Sequence, residues 1–124
     1  MTKKEITDIL LEVGYEETRT FTNSSEWSLM GTIGVSEHRA KMSRFKGQKL
    51  KVGEKIKATF ARVSFSYYGE EEKIDLVERV PISSVSRKEF LEYLLSNTPA
   101  NSDAQSRIKS IIRRDKLNDL LNND

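Results

Sequence analysis

From Lys55 to Ile82 apolar and polar residues alternate and then change phase. Ile56, Ala58 and Phe60 take one side and Lys57 and Thr59 the other, the period of a half-buried strand. After Phe60 the apolar residues move to Ala61, Val63, Phe65 and Tyr67, so a straight strand would exchange its buried face halfway along. A bulge or sharp coil near Ala61 and Arg62 removes the conflict and predicts strong curvature. Tyr68-Gly69-Glu70 predicts a turn into a return strand whose Ile74, Leu76, Val80 and Ile82 share one face. Pro81 suits an edge or a strand end, while Glu78 falls among the inward positions with no evident reason.

The N-terminal residues read as a helix. Thr2 and Glu5 have the spacing of a capping box, and Ile6, Ile9, Leu10 and Val13 recur at helical intervals up to Gly14, a stop signal. Thr18 to Thr22 predicts a short strand and Asn23 to Glu26 a turn. Trp27, Leu29, Ile33 and Val35 then form one face of a second strand, with Trp27 as a core anchor. Ser36 to Gly47 fits either a long loop or a helix capped by Ser36, with His38, Met42 and Phe45 on one side.

Beyond Ile82 strand gives way to helix. Ser86 and Glu89 repeat the capping box ahead of Phe90, Leu91, Tyr93, Leu94 and Leu95, and residues 97–102 form a connector. In the last segment Ile108, Ile111 and Ile112 lie on one side of a continuous helix and Leu117, Leu120 and Leu121 on nearly the opposite side. The helix therefore either breaks near Arg114-Asp115 or offers a second apolar face to a partner. The expected fold class is α+β. Residues 1–83 form a helix and a small, strongly curved antiparallel sheet or OB-like β-barrel, and residues 84–124 a C-terminal helical pair that is not an independent domain.

With 124 residues the chain holds one core. It has no cysteine, which excludes disulfides, thiolate nucleophiles and cysteine-based zinc sites. The N-terminus is charged throughout and no apolar run reaches the roughly 20 residues of a membrane span, so a cytoplasmic protein without a membrane partner is expected.

Net charge is only +2, but its distribution is uneven. Between Ser36 and Arg62, Arg39, Lys41, Arg44, Lys46, Lys49, Lys51, Lys55, Lys57 and Arg62 stand against Glu37 and Glu54 alone. Such a run is either a polyanion-binding patch or a solvated surface whose lysines protect sheet edges. Tyr67 and Tyr68 join these residues as candidate nucleic-acid or partner contacts, because single-strand binding on small barrels combines cations with aromatic faces. Leu117, Leu120 and Leu121 are the candidate oligomer or partner contact. Catalysis has little to work with. His38 is the only histidine, Glu70, Glu71, Glu72 and Asp75 read as a charged hairpin turn, and no phosphate-binding glycine loop occurs. No catalytic residue, metal or cofactor is expected.

Gly53-Glu54, Phe60-Ala61-Arg62-Val63, Tyr68-Gly69 and Pro81 give residues 51–82 a pattern that resembles small accessory proteins of phages and mobile elements of low-GC Gram-positive bacteria. The resemblance implies an OB-like barrel in a mobile-element setting and attaches no reaction. Such elements also encode small inhibitors of host nucleases, anti-CRISPR proteins among them. The functional expectation is a non-enzymatic binding module for single-stranded nucleic acid or a protein–nucleic acid complex. One alternative is an anti-CRISPR or anti-restriction type inhibitor that acts on a nucleic-acid-binding host protein through its basic surface. The other is an assembly component, a homodimer through the last helix.

Overall fold

Helix α1 (Lys3–Val13) begins where Thr2 Oγ1 accepts the Glu5 N–H at 3.2 Å. It ends at Gly14, whose φ of 114° is a left-handed value that a side chain would strain. The computed structural model describes residues 1–45, 47–69 and 71–122, with the backbone alone for Arg44, Phe45 and Tyr68. Lys46 and Glu70 therefore lie outside the described residues, as do the side chains of Arg44 and Tyr68.

The strands are β1 (Glu16–Phe21), β2 (Ser24–Gly34), β3 (Lys55–Tyr68), β4 (Glu71–Asp75) and β5 (Arg79–Pro81). They pair antiparallel in chain order, so the class is α+β, but the sheet is open with β1 and β5 at its edges. The barrel form of the expectation is not adopted. Its inward face is covered instead by α1, α3 (Arg87–Asn97) and α4 (Asp103–Asn122), and β5, at three residues, is a short edge. One core cluster takes in Ile6 and Leu10 of α1, Trp27, Val63, Phe65 and Ile74 of the sheet, and Phe90, Leu94, Ile108 and Ile111 of the last helices. Trp27 is a core residue, 8% exposed.

The change of phase in β3 has the cause its pattern implies. Leu29 pairs with Ala61 and Met30 with Thr59, which leaves Phe60 as the extra residue of a bulge, next to the predicted place. Glu78 also finds its explanation. β4 stops at Asp75, the loop 76–78 is closed by a 3.0 Å bond from the Leu76 N–H to the Glu78 carbonyl, and Glu78 is exposed.

Residues 37–45 form helix α2 (Glu37–Phe45), with Ser36 Oγ accepting the Arg39 N–H at 3.3 Å. Its inward side is Ala40 and Ser43, and His38 and Met42 are exposed. The helix turns its small side chains inward and leaves the longer ones in water. Helix α4 runs unbroken. The charges at 114 and 115 that resembled a break are braces: Arg114 makes a bidentate pair with Glu12 of α1 at 3.0 and 3.2 Å, and Asp115 one with Arg87 of α3 at 2.5 and 3.2 Å. Among the described residues no helix is long and apolar enough to cross a membrane.

The sheet is broad at one end and narrow at the other. β1 pairs only with residues 24–28 of β2, and β4 only with residues 64–68 of β3. Beyond them β2 and β3 continue as a two-stranded ribbon, residues 29–34 against 55–61. At its tip the Val35 N–H bonds the Glu54 carbonyl at 2.7 Å and the Gly53 N–H bonds the Val35 carbonyl at 3.0 Å. The α2 segment is thus an insertion at the tip of a long hairpin.

Candidate nucleic-acid interface

The bulge decides where the cations of β3 go. Without the extra residue, strand alternation would place Arg62 on the face opposite Lys55 and Lys57. With it, Ala61, Val63 and Phe65 keep to the helix-covered face, while Lys55, Lys57 and Arg62 all rise from the open face and are exposed. Their partners across the ladder are Gly34, Thr32 and Ser28, small residues that leave the cations standing over a low floor. Arg39 and Lys41 of α2 and Lys49 and Lys51 of the following loop are exposed at the ribbon tip. Among the described cations of β3, α2 and this loop only Lys41 is ion-paired, to Glu37 at 3.4 Å.

Residues 36–58 carry eight basic and two acidic residues, a formal +6. The remaining thirteen basic and seventeen acidic residues give the rest of the chain −4. The ribbon and α2 therefore form a cationic lobe on an anionic body, and such segregation generates a directed field that a net charge of +2 conceals.

Tyr67 is not part of this lobe. It lies twelve residues along β3 from Lys55, roughly 40 Å away at about 3.3 Å per residue. There it lines a cleft of about 530 Å³ with Lys3, Glu17, Thr20, Ser25 and Glu72. Lys3 of that cleft is paired with Glu72 at 3.4 Å and sits 5.8 Å from the centre of the Phe65 ring. Two carboxylates against one paired lysine make this end a poor anion site. Tyr67 is therefore apart from the cations at the ribbon tip, and Arg62, five residues away along β3, is the member of the basic run next to it in sequence.

The aromatic residue that does lie on the ribbon is Phe60, which the sequence reading left out of the site. It is 39% exposed, and its ring lies against Gly31 on β2. The change of phase at Phe60 and a glycine in the facing strand are the signals that mark it.

The acidic turn does not gather its charges. Glu72 pairs with Lys3, Asp75 pairs with Arg79 at 2.8 Å, and Glu71 is exposed. Among the described residues no three acidic or histidine side chains are grouped to hold a metal ion. On α4, Leu117, Leu120 and Leu121 are 57, 72 and 66% exposed, pointing away from the buried Ile108 and Ile111. No family model, curated protein or solved structure matches the chain.

Proposed function

We propose that this chain is a cytoplasmic, non-enzymatic nucleic-acid-binding module that grips the phosphate backbone through its ribbon and α2. The observation that supports it is the segregation of charge, a formal +6 over residues 36–58, whose described cations are exposed and, apart from Lys41, make no ion pair among the described residues. Protection of sheet edges accounts for Lys55 and Lys57. It does not account for Arg39, Lys41, Lys49 or Lys51, which lie in a helix and a loop. The setting we assign is that of the phage and mobile-element accessory proteins that residues 51–82 resemble. The open sheet departs from their barrel, so the proposal rests on charge rather than kinship.

Inhibition of a host nucleic-acid enzyme through the same lobe is less favourable on sign. A nucleic-acid channel is itself cationic, and like charges face to face cost affinity. The test is fluorescence anisotropy of a labelled single strand and a labelled duplex at low salt with magnesium present. Binding to at least one of them, recovered uncut, is expected. Flat titrations of both with folded protein would reverse the order of the two readings.

A second reading, assembly through α4, is favoured by the outward leucines. Burying a leucine side chain is worth roughly 1.5–3 kcal/mol. Three of them nevertheless fall well short of the roughly 1,200 Å² that a stable interface buries. We therefore assign this face a weak, concentration-dependent self-association.

A further inference from the structure

We propose that Phe60 is a stacking platform for an unpaired base, so that the ligand of the ribbon is a single strand. This deepens the nucleic-acid reading above and rests on it. Phe60 is the extra residue of the β3 bulge, a position at which the strand re-aims a side chain. A Cβ built on Gly31 would lie 2.0 Å from Phe60 Cε2, 2.6 Å from Cζ and 2.8 Å from Cδ2. Three consecutive ring atoms thus occupy the space of the missing side chain, and only glycine supplies that seat. Backbone holds the ring on one side, while 39% of the residue remains open to solvent.

Covering a strand glycine explains the contact. The same contact gives a π surface that is ordered before any ligand arrives, which lowers the entropic cost of binding. Trp27 and Phe65 are buried and Tyr67 lies at the far end of the strand, so Phe60 is the exposed aromatic described on the ribbon. It also lies between Lys57 and Arg62 along β3, where that strand's outer edge has no β4 partner. A flexible chain whose phosphates follow the open face can turn a base round this free edge onto the ring. A duplex keeps its bases stacked inside and has none to offer.

The test is anisotropy with labelled oligo(dT) and a labelled duplex on the wild type and Phe60→Ala, with fluorescence of Phe60→Trp as a second readout. Loss of one stacked base is expected to weaken oligo(dT) binding roughly 5- to 150-fold. The salt slope should stay the same, because the phosphate contacts remain. In Phe60→Trp the new indole should be quenched by oligo(dT), against the constant signal of buried Trp27. Equal oligo(dT) affinity in wild type and Phe60→Ala, an unquenched Phe60→Trp, or duplex binding as tight as single-strand binding overturns the inference and leaves the nucleic-acid reading standing. No binding to either nucleic acid removes both. If Phe60→Ala fails to fold, the tryptophan variant decides.

Discussion

Gly31 and Phe60 are coupled, and the coupling is measurable. In Gly31→Ala a methyl enters the space of the ring, which must swing away. The expected loss is roughly 1 kcal/mol, the low end of overpacking, because a ring that is partly in water can move. In a Phe60→Ala background the same methyl meets no ring, and the stiffer unfolded chain makes the change neutral or stabilising. Urea melts of the four proteins close the cycle, and equal losses in both backgrounds would show that the ring is not seated on the glycine. Tyr15, 2% exposed, gives a second prediction. Burial raises its pKa above the ordinary 10.0, with a hydrogen bond to Thr98 opposing. The folded state thus holds the phenol proton more tightly than the unfolded one. That contribution is full below the ordinary value and lost as pH rises through the raised one. Tyr15→Phe should flatten the alkaline fall in stability; an unchanged fall would contradict it. At this scale the caps Thr2 and Ser86 and the anchor Trp27 were legible, because each rests on local spacing or size. The place of the bulge was legible from the change of phase. Its contact with Gly31 was not, because cross-strand partners depend on register, which a period of two leaves open.

Among the elements, α4 decides between two alternatives that its pattern left open. The two apolar faces were visible in the sequence, but not whether the helix runs through Arg114-Asp115 or breaks there. Arg114 and Asp115 brace the helix to α1 and α3, contacts between segments far apart in the chain. The pair with Arg114 holds the Glu12 carboxyl below its ordinary 4.5, so this contribution is present above that value and lost as pH falls through the lower, folded one. Light scattering tests the outward face. The apparent mass of the wild type should rise with concentration, and that of Leu117→Ser/Leu120→Ser/Leu121→Ser should not. The dilute variant should melt at the wild-type temperature, since these side chains are already in water. Two concentration-independent monomers would contradict self-association, and a lower melting temperature would show that the leucines pack on the core. Helix α2 was ambiguous for a related reason. Its inward side is Ala40 and Ser43, too slight a stripe to set a helical period.

Seen whole, the molecule has a helix-backed anionic body and a cationic ribbon. The sequence displayed the basic run, but not that the cations at its tip and Tyr67 lie at opposite ends of β3. What it could not display is the narrowing from five strands to two, which follows from how little of β2 and β3 the neighbouring strands cover. If the ribbon neutralises about five phosphates, the logarithm of single-strand affinity should fall against the logarithm of salt with a slope near −3.5. The most direct measurement is therefore that slope for the wild type and for Lys49→Gln/Lys51→Gln/Lys55→Gln/Lys57→Gln. Each lost phosphate contact removes about 0.7, so the quadruple variant should flatten towards −0.7 while keeping its fold. A steep slope that survives all four substitutions, or no binding by the wild type at low salt, would contradict the assignment of the ribbon as the nucleic-acid surface.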